Sequence, residues 1–262
     1  MSNHAIRAMD IRVGYRGVPL IRESSLTFPS GRITVLLGAN GSGKSTLLKS
    51  MAGLHPLQGG QVWIGDSELT STSNRRLARQ LAFLPQHPVA PETLTVAELV
   101  MMGRYPYRHP LLPPSARDRA VVSQALEQTD LPELAERSLG TLSGGQRQRA
   151  WLAMVLAQQT DILMLDEPTS YLDLSHQYDL LNLIRRLNRE QGKTLVLVLH
   201  DLNQAFEFAD YLIYMKQGRV IAQGSPTRTA TPELIQETFG LHCDIWPHPK
   251  AACPLLIPLA GQ

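Results

Sequence analysis

The 262-residue chain lacks any apolar run long enough to cross a bilayer. Stretches such as Leu195–Leu199 and Leu255–Leu259 run to five residues, where a spanning helix needs about 20. Met1 to Asp10 contain no apolar core, so no secretory leader is expected. Cysteine is scarce. Cys243 and Cys253 are the only two, which excludes a disulfide framework. His242 and His248 lie near them, but the spacing fits no zinc template, and free thiols in a reducing compartment are expected. An excess of one charge is missing too. Twenty-five Lys and Arg against 23 Asp and Glu leave a formal charge of +2. That gives no basic field for gripping nucleic acid. Lysine is rare: Lys44, Lys49, Lys193, Lys216 and Lys250 are the five, and the other basic residues are arginine. The remainder is 43% apolar and 18% charged, as in soluble globular proteins. The length allows one large domain or two modest ones.

Periodicity places the elements. Met9, Ile11, Val13 and Tyr15 alternate with Asp10, Arg12 and Gly14, the period of a half-buried strand. Ile33 to Leu37 is a continuous apolar run, suited to a strand buried on both faces. Glycines follow, then a helical pattern from Ser45 to Ala52. Thr70 to Asn74 reads as a polar loop, and Pro85 to Pro91 as a break. Helical patterns span Thr95–Gly103 and Ser115–Glu127, separated by four prolines between Pro106 and Pro114. Residues from about 90 to 158 therefore read as a helical insert between two α/β halves. Ile162–Leu165 and Leu195–Leu199 are further buried strands, joined through an amphipathic helix from His176 to Glu190. Tyr211–Met215 and Val220–Ala222 flank Gln217-Gly218, a hairpin signal, and Pro232–Phe239 is a short helix.

Three strings carry chemistry. Gly38-Ala39-Asn40-Gly41-Ser42-Gly43-Lys44-Ser45, followed by Thr46, matches the phosphate-binding loop G-x-x-x-x-G-K-[ST]. Such a loop turns its N–H groups inward around phosphate oxygens, and glycines permit the backbone angles. The helix behind it aims its positive end at the phosphates. Lys44 adds a point charge, and the Ser45 hydroxyl can coordinate Mg²⁺. The plainer reading is a glycine-rich turn with an incidental lysine; strand before and helix after argue against it. Second, the strand Ile162–Leu165 delivers Asp166 and Glu167 to its C-terminal end, where ligands bind in open α/β sheets. Alternation along a strand sends the two to opposite faces: Asp166 toward Mg²⁺, Glu167 toward an attacking water. Third, in Leu142-Ser143-Gly144-Gly145-Gln146, Ser143 is a natural N-cap and Gln146 completes a capping box. Two glycines in that first turn each cost about 1 kcal/mol relative to alanine. Their presence makes sense if an anion must sit against bare N–H groups.

These strings, with His200 after a strand, resemble the ATPase subunits of ATP-binding-cassette transporters along the whole chain. The resemblance implies an α/β fold: a P-loop NTPase (RecA-like) core with an antiparallel β subdomain and an inserted α-helical subdomain. It divides the chain into 1–90, the first half of the core; 91–158, the helical insert; 159–225, the second half; and 226–262, a C-terminal extension. It casts Tyr15 as the aromatic that stacks on adenine and Gln86 as the glutamine opening the insert. Ser170-Tyr171-Leu172-Asp173 becomes the loop that crosses to a partner subunit. Two subunits would bind two ATP molecules head to tail. Leu142, Ser143, Gly144, Gly145, Gln146 and Asp173 of one would then face ATP held by Gly38 to Thr46 of the other. Glu167 would polarise the water, with Lys44 and His200 at the γ-phosphate, and Ser45, Gln86 and Asp166 would hold Mg²⁺. Two departures are small: Ala39 stands where many relatives have proline, and Tyr171 where many have alanine.

Further strings narrow the resemblance: Gly103-Arg104-Tyr105-Pro106, Arg147 to Trp151, Leu172 to Gln177, and His200 to Ala205. They are similar to the ATPases of ferric-siderophore importers, of the ferric-enterobactin type; importers of vitamin B12 and haem are close relatives. The implied partners are a second copy of the chain, an integral membrane permease and, indirectly, a periplasmic or surface substrate-binding protein, with no nucleic acid. The implied place is the cytoplasmic face of the inner membrane. The segment Gly103–Pro110 reads as either a surface loop or a docking site for another protein, with docking favoured. Two other classes fit less well. A non-transport cassette working on DNA or ribosomes usually carries two cassettes or long coiled coils, and neither is present. A P-loop kinase or GTPase lacks Leu142–Gln146, and no guanine-reading Asn-Lys-x-Asp occurs.

Overall fold

The computed structural model describes residues 4–15, 18–109 and 111–259. Two long strands, β1 (His4–Tyr15) and β2 (Val18–Pro29), open the chain and pair antiparallel. β3 (Ile33–Leu37) leads into α1 (Lys44–Met51), and β4 (Gly59–Ile64) and β5 (Ser67–Glu68) complete an antiparallel sheet of order β2-β1-β4-β5. The expected alternation in β1 breaks at a bulge. Asp10 adopts φ +48, so Ala8 and Ile11 are both buried while Met9, expected on the buried face, is exposed. The stretch expected as polar loop at Thr70–Asn74 is also more ordered. A 3₁₀ turn covers Leu69–Ser71, and Ser73 caps α2 (Asn74–Leu77) through its hydroxyl.

β6 (Leu81–Leu84) precedes three helices: α3 (Val96–Met102), α4 (Ala116–Gln128) and α5 (Gly144–Ala157). Each begins with a capping box: Thr95 with Glu98, Ser115 with Asp118, Ser143 with Gln146. Side chain and backbone thereby satisfy each other's orphan groups. Next come β7 (Ile162–Leu165), α6 (Leu174–Gln191), β8 (Thr194–Val198), α7 (Leu202–Phe208), β9 (Tyr211–Lys216) and β10 (Arg219–Gly224). The second sheet runs β10-β9-β3-β8-β7-β6, parallel except for the β9–β10 hairpin. Short helices α8 (Pro226–Thr229) and α9 (Pro232–Phe239) and the hairpin of β11 (Cys243–Pro247) with β12 (Pro254–Pro258) close the chain.

β3, β7 and β8 are buried at every residue because both faces of the parallel sheet are covered. Leu36, Met164 and Val196 pack toward α1 and the antiparallel sheet. Val35, Leu165 and Leu197 pack toward the other side, with Leu181 and Ile184 of α6 and Phe206 of α7. That apolar cluster continues into α3, α4 and α5 through Leu99, Val122 and Leu152. The insert is thus anchored by a shared core. One buried charge reinforces it. Arg104, 2% exposed, places Nε 3.0 Å from Asp118 Oδ1 and donates from Nη1 to the Ala157 carbonyl at 2.8 Å. Its guanidinium lies 4.1 Å from the Tyr107 ring centroid. Removing one partner of a buried pair strands the other charge. Arg104→Met is expected to lower unfolding free energy by about 3 kcal/mol in urea titration; a loss under about 1 kcal/mol contradicts the anchoring role.

Candidate active site

The phosphate loop joins the buried end of β3 to α1. Gly43 sits at the helix N-cap with φ +99, and no side chain caps the helix. A Cβ on Gly43 would approach Ile21 Cδ1 to 2.7 Å. Glycine here serves both the left-handed angle and the close packing. The first-turn N–H groups and the positive helix end are left for an anion. Lys44 arches back over the loop, and its Nζ donates to the carbonyl oxygens of Gly38 at 2.8 Å and Ala39 at 3.1 Å. Burial pushes the Lys44 ammonium below its usual pKa, and the nearby Glu167 and Asp166 carboxylates oppose the shift. Asn40 and Gly41 are exposed at the tip, with φ +77 at Gly41, and Ser45 and Thr46 are half-buried in the first helical turn.

Asp166 and Glu167 follow β7. Asp166 is 1% exposed and accepts a hydrogen bond from the Ser45 hydroxyl at 2.9 Å. Burial raises its pKa; the Ser45 hydrogen bond and the charges of Lys49 and Lys44 pull it back. Glu167 departs from the expected strand geometry. Its φ is +52, in the left-handed region, so the chain turns there instead of alternating faces. The two carboxylates still diverge, but through that turn. Glu167 Oε2 accepts from Gln86 Nε2 and from the Ser170 hydroxyl at 3.1 Å, while Oε1 lies 2.7 Å from His200 Nε2. One carboxylate is therefore held from three segments. Ser45 and Asp166 present hard oxygens side by side, and Gln86 adds an amide close to Glu167. That donor set suits Mg²⁺, which takes few protein ligands together with phosphate oxygens.

Leu142 is buried, and Ser143 and Gln146 form the capping box: Gln146 N–H to Ser143 Oγ at 3.3 Å, Ser143 N–H to Gln146 Oε1 at 3.1 Å. The two glycines differ. A Cβ on Gly144 would meet nothing within 4 Å, whereas one on Gly145 would lie 2.8 Å from His176 Cδ2. Gly144 keeps the helix start bare; Gly145 makes room for an imidazole of its own chain. That ring is fixed from behind. Asp173 caps α6, accepts the His176 N–H at 2.9 Å and sits 2.7 Å from Nδ1. The backbone hydrogen bond from His176 leads in holding the Asp173 carboxyl below its usual pKa.

Lys44, Ser45, Gln86, Asp166, Glu167 and His200 are thus brought together. No hydrogen bond or ion pair among the described residues joins Leu142–Gln146 or Asp173 to that cluster. The Tyr15 backbone ends β1, but its side chain lies outside the described residues. Ser170 is a contact to Glu167 that sequence reading missed, although a hydroxyl three residues after an acid is a turn signal. His176, placed by the sequence only at the start of an amphipathic helix, is the partner of both Asp173 and Gly145.

Because Asp166 has a raised pKa, its ionised form opposes folding above the ordinary carboxylate range, and the penalty vanishes below it. Asp166→Asn is therefore expected to raise the nucleotide-free Tm by about 2–4 °C at pH 8. Melting scans should show the gain fade as pH falls toward about 4; a lower Tm at pH 8 contradicts the burial argument.

Comparison with known proteins identifies the family. The family described as ABC transporter matches residues 21–170. The achromobactin transport ATP-binding protein CbrD of Dickeya dadantii is 47% identical over 259 residues, covering 98% of this chain and 96% of that protein. The ferric enterobactin transport ATP-binding protein FepC of Escherichia coli is 43% identical over 254 residues, 97% of this chain and 94% of that protein. The dimeric structure of MJ0796, a bacterial ABC transporter cassette, superposes with a TM-score of 0.74 at 28% identity, covering 84% of this chain and 98% of that one. The phosphate loop, the paired acids and the capped start of the glycine helix all lie within matched residues that span more than half of the sequence, and the chain belongs to the ABC transporter family.

Proposed function

We propose that the chain is the ATP-hydrolysing subunit of an importer that energises uptake of a ferric siderophore through a membrane permease. Its likeness over nearly the full length to the achromobactin and ferric enterobactin proteins supports the substrate class. The observation that carries the mechanism is the convergence of Gln86, Ser170 and His200 on Glu167. Three partners fix the carboxylate beside the phosphate loop, where it accepts a proton from an attacking water. Phosphoryl transfer needs positioning and charge neutralisation more than covalent help. Lys44 supplies a cation held by two carbonyls. His200, half exposed, offers a polar edge to the γ-phosphate. Ser45, Asp166 and Gln86 would hold Mg²⁺, which would supply charge neutralisation. Tyr15 stacks on adenine.

Two copies form the working unit. Among the described residues no hydrogen bond or ion pair joins the capped, bare start of α5 or Asp173 to their own phosphate loop, which supports their use on the ATP of a second copy. A helix start stripped of side chains suits a γ-phosphate approaching from outside the chain. ATP closes the pair and hydrolysis reopens it, a two-state element biased by the nucleotide.

No described helix is long and apolar enough to cross a membrane. The chain is held at the cytoplasmic face of the inner membrane by the permease. A groove of about 850 Å³, lined by Met101, Met102, Tyr105 and Arg108, is the seat we assign to it. Met102 and Tyr105 are exposed there, and neither has a reason to be apolar in water. Residues 1–90 and 159–225 make the nucleotide core, 91–158 the permease-facing insert and 226–262 an extension. A substrate-binding protein completes the importer.

Two measurements test this reading. Glu167→Gln is expected to keep ATP binding, lower turnover at least about 100-fold and accumulate ATP-bound dimers by size exclusion; turnover at the wild-type rate contradicts the base assignment. Cells carrying Lys44→Ala should fail to grow on ferric siderophore as sole iron source, while vitamin B12 and haem uptake are unchanged. Normal siderophore growth, with loss of one of the others, reassigns the substrate.

A further inference from the structure

Two glutamines outside the reactive cluster join its parts. Gln177, in the first turn of α6, donates from Nε2 to the carbonyl oxygens of Thr169 at 3.3 Å and Leu172 at 3.1 Å. Both carbonyls belong to the turn that ends in Asp173. That turn needs support. Tyr171 holds φ +64 while its side chain is 84% exposed, so burial does not fix it. A non-glycine residue stays in that region only when its surroundings impose it. The Gln177 Oε1 in turn accepts from Gln204 Nε2 at 2.8 Å. Gln204 is 2% exposed and lies in the first turn of α7. The N-cap of α7 is Asp201, the neighbour of His200, and its Oδ1 accepts the Gln204 N–H at 2.8 Å. A continuous polar path therefore runs from the His200 segment through Gln204 and Gln177 to the Asp173 turn. A buried amide that loses its partner leaves an unsatisfied group, so the path resists local rearrangement.

We propose that Gln177 and Gln204 are positioning residues that lock the Thr169–Asp173 turn to the segment carrying His200. Contact of His200 with the γ-phosphate at a subunit's own site then sets the turn which that subunit presents to its partner's ATP. This rests on the shared-site reading above. Among the described residues the pair makes no hydrogen bond to the reactive cluster, and Gln177 acts only through the backbone it holds.

The test uses the full chain carrying Glu167→Gln, in which ATP is expected to accumulate dimers. Gln177→Glu keeps the shape and replaces the Nε2 donor with an acceptor facing two carbonyls. Gln204→Leu removes the other half and guards against a folding failure of the first. Each is expected to raise the ATP concentration for half-maximal dimerisation about tenfold, equivalent to about 1.4 kcal/mol. Binding of a fluorescent ATP analogue to the monomer should stay within about twofold. The double variant should be no worse than the worse single one, because residues acting as a unit are not additive. Unchanged dimerisation, additive losses, or a parallel fall in monomer affinity overturns the proposal. A Glu167→Gln parent that stays monomeric with ATP removes the shared-site reading and this inference with it, whereas a dimerising parent with unaffected variants removes this inference alone.

Discussion

The left-handed turn at Glu167 is the constraint on which the site depends. β7 is only four residues long and wholly buried, so it can deliver acids at its end but cannot itself separate them. The φ of +52 at Glu167 does that. It leaves Asp166 against Ser45 in a dry corner and swings Glu167 out to Gln86, Ser170 and His200. Strain at such a position persists only where the surroundings over-determine it. The three hydrogen-bonding partners of Glu167 are that surrounding. Each comes from a different segment: the end of β6, the turn before α6, and the end of β8.

The same logic extends outward. The parallel sheet is buried on both faces, so its strand ends cannot shift without disturbing two cores. Loops at those ends are therefore placed by a rigid scaffold, while the insert is anchored by α3–α5 packing and by Arg104. Chemistry sits at the carboxyl ends of the strands, as in other open α/β sheets. Asp173 and Gly145 meet through His176. The two surfaces we propose for a partner subunit are thus positioned as one unit, with His176 as the spacer.

Much of this was legible in the sequence, for identifiable reasons. β3, β7 and β8 were readable because burial on both faces removes polar residues and leaves continuous apolar runs. The capping box at Ser143–Gln146 was readable because side chain and backbone satisfy each other locally. What was not legible depended on conformations that leave no compositional mark. The bulge at Asp10 moved Met9 to the exposed face although the alternation around it looked regular. Glu167 diverges from Asp166 through a left-handed turn, where strand alternation suggested the same outcome by another route. The role of Gly145 was half seen: an open helix start explains Gly144, but only the fold brings His176 against the second glycine.

The central claim is that each ATP is enclosed by two copies of the chain. It is tested most directly by counting ATP retained by pairs of fixed composition, all in the Glu167→Gln background, purified through two different tags. In one arrangement Lys44→Ala and Ser143→Arg sit on separate copies; in the other both sit on one copy beside an otherwise unaltered partner. The account predicts about one ATP retained per pair in the first arrangement and none in the second, because only the first leaves one phosphate loop facing an intact α5 start. Equal retention in the two arrangements, or one ATP in the second alone, would contradict it.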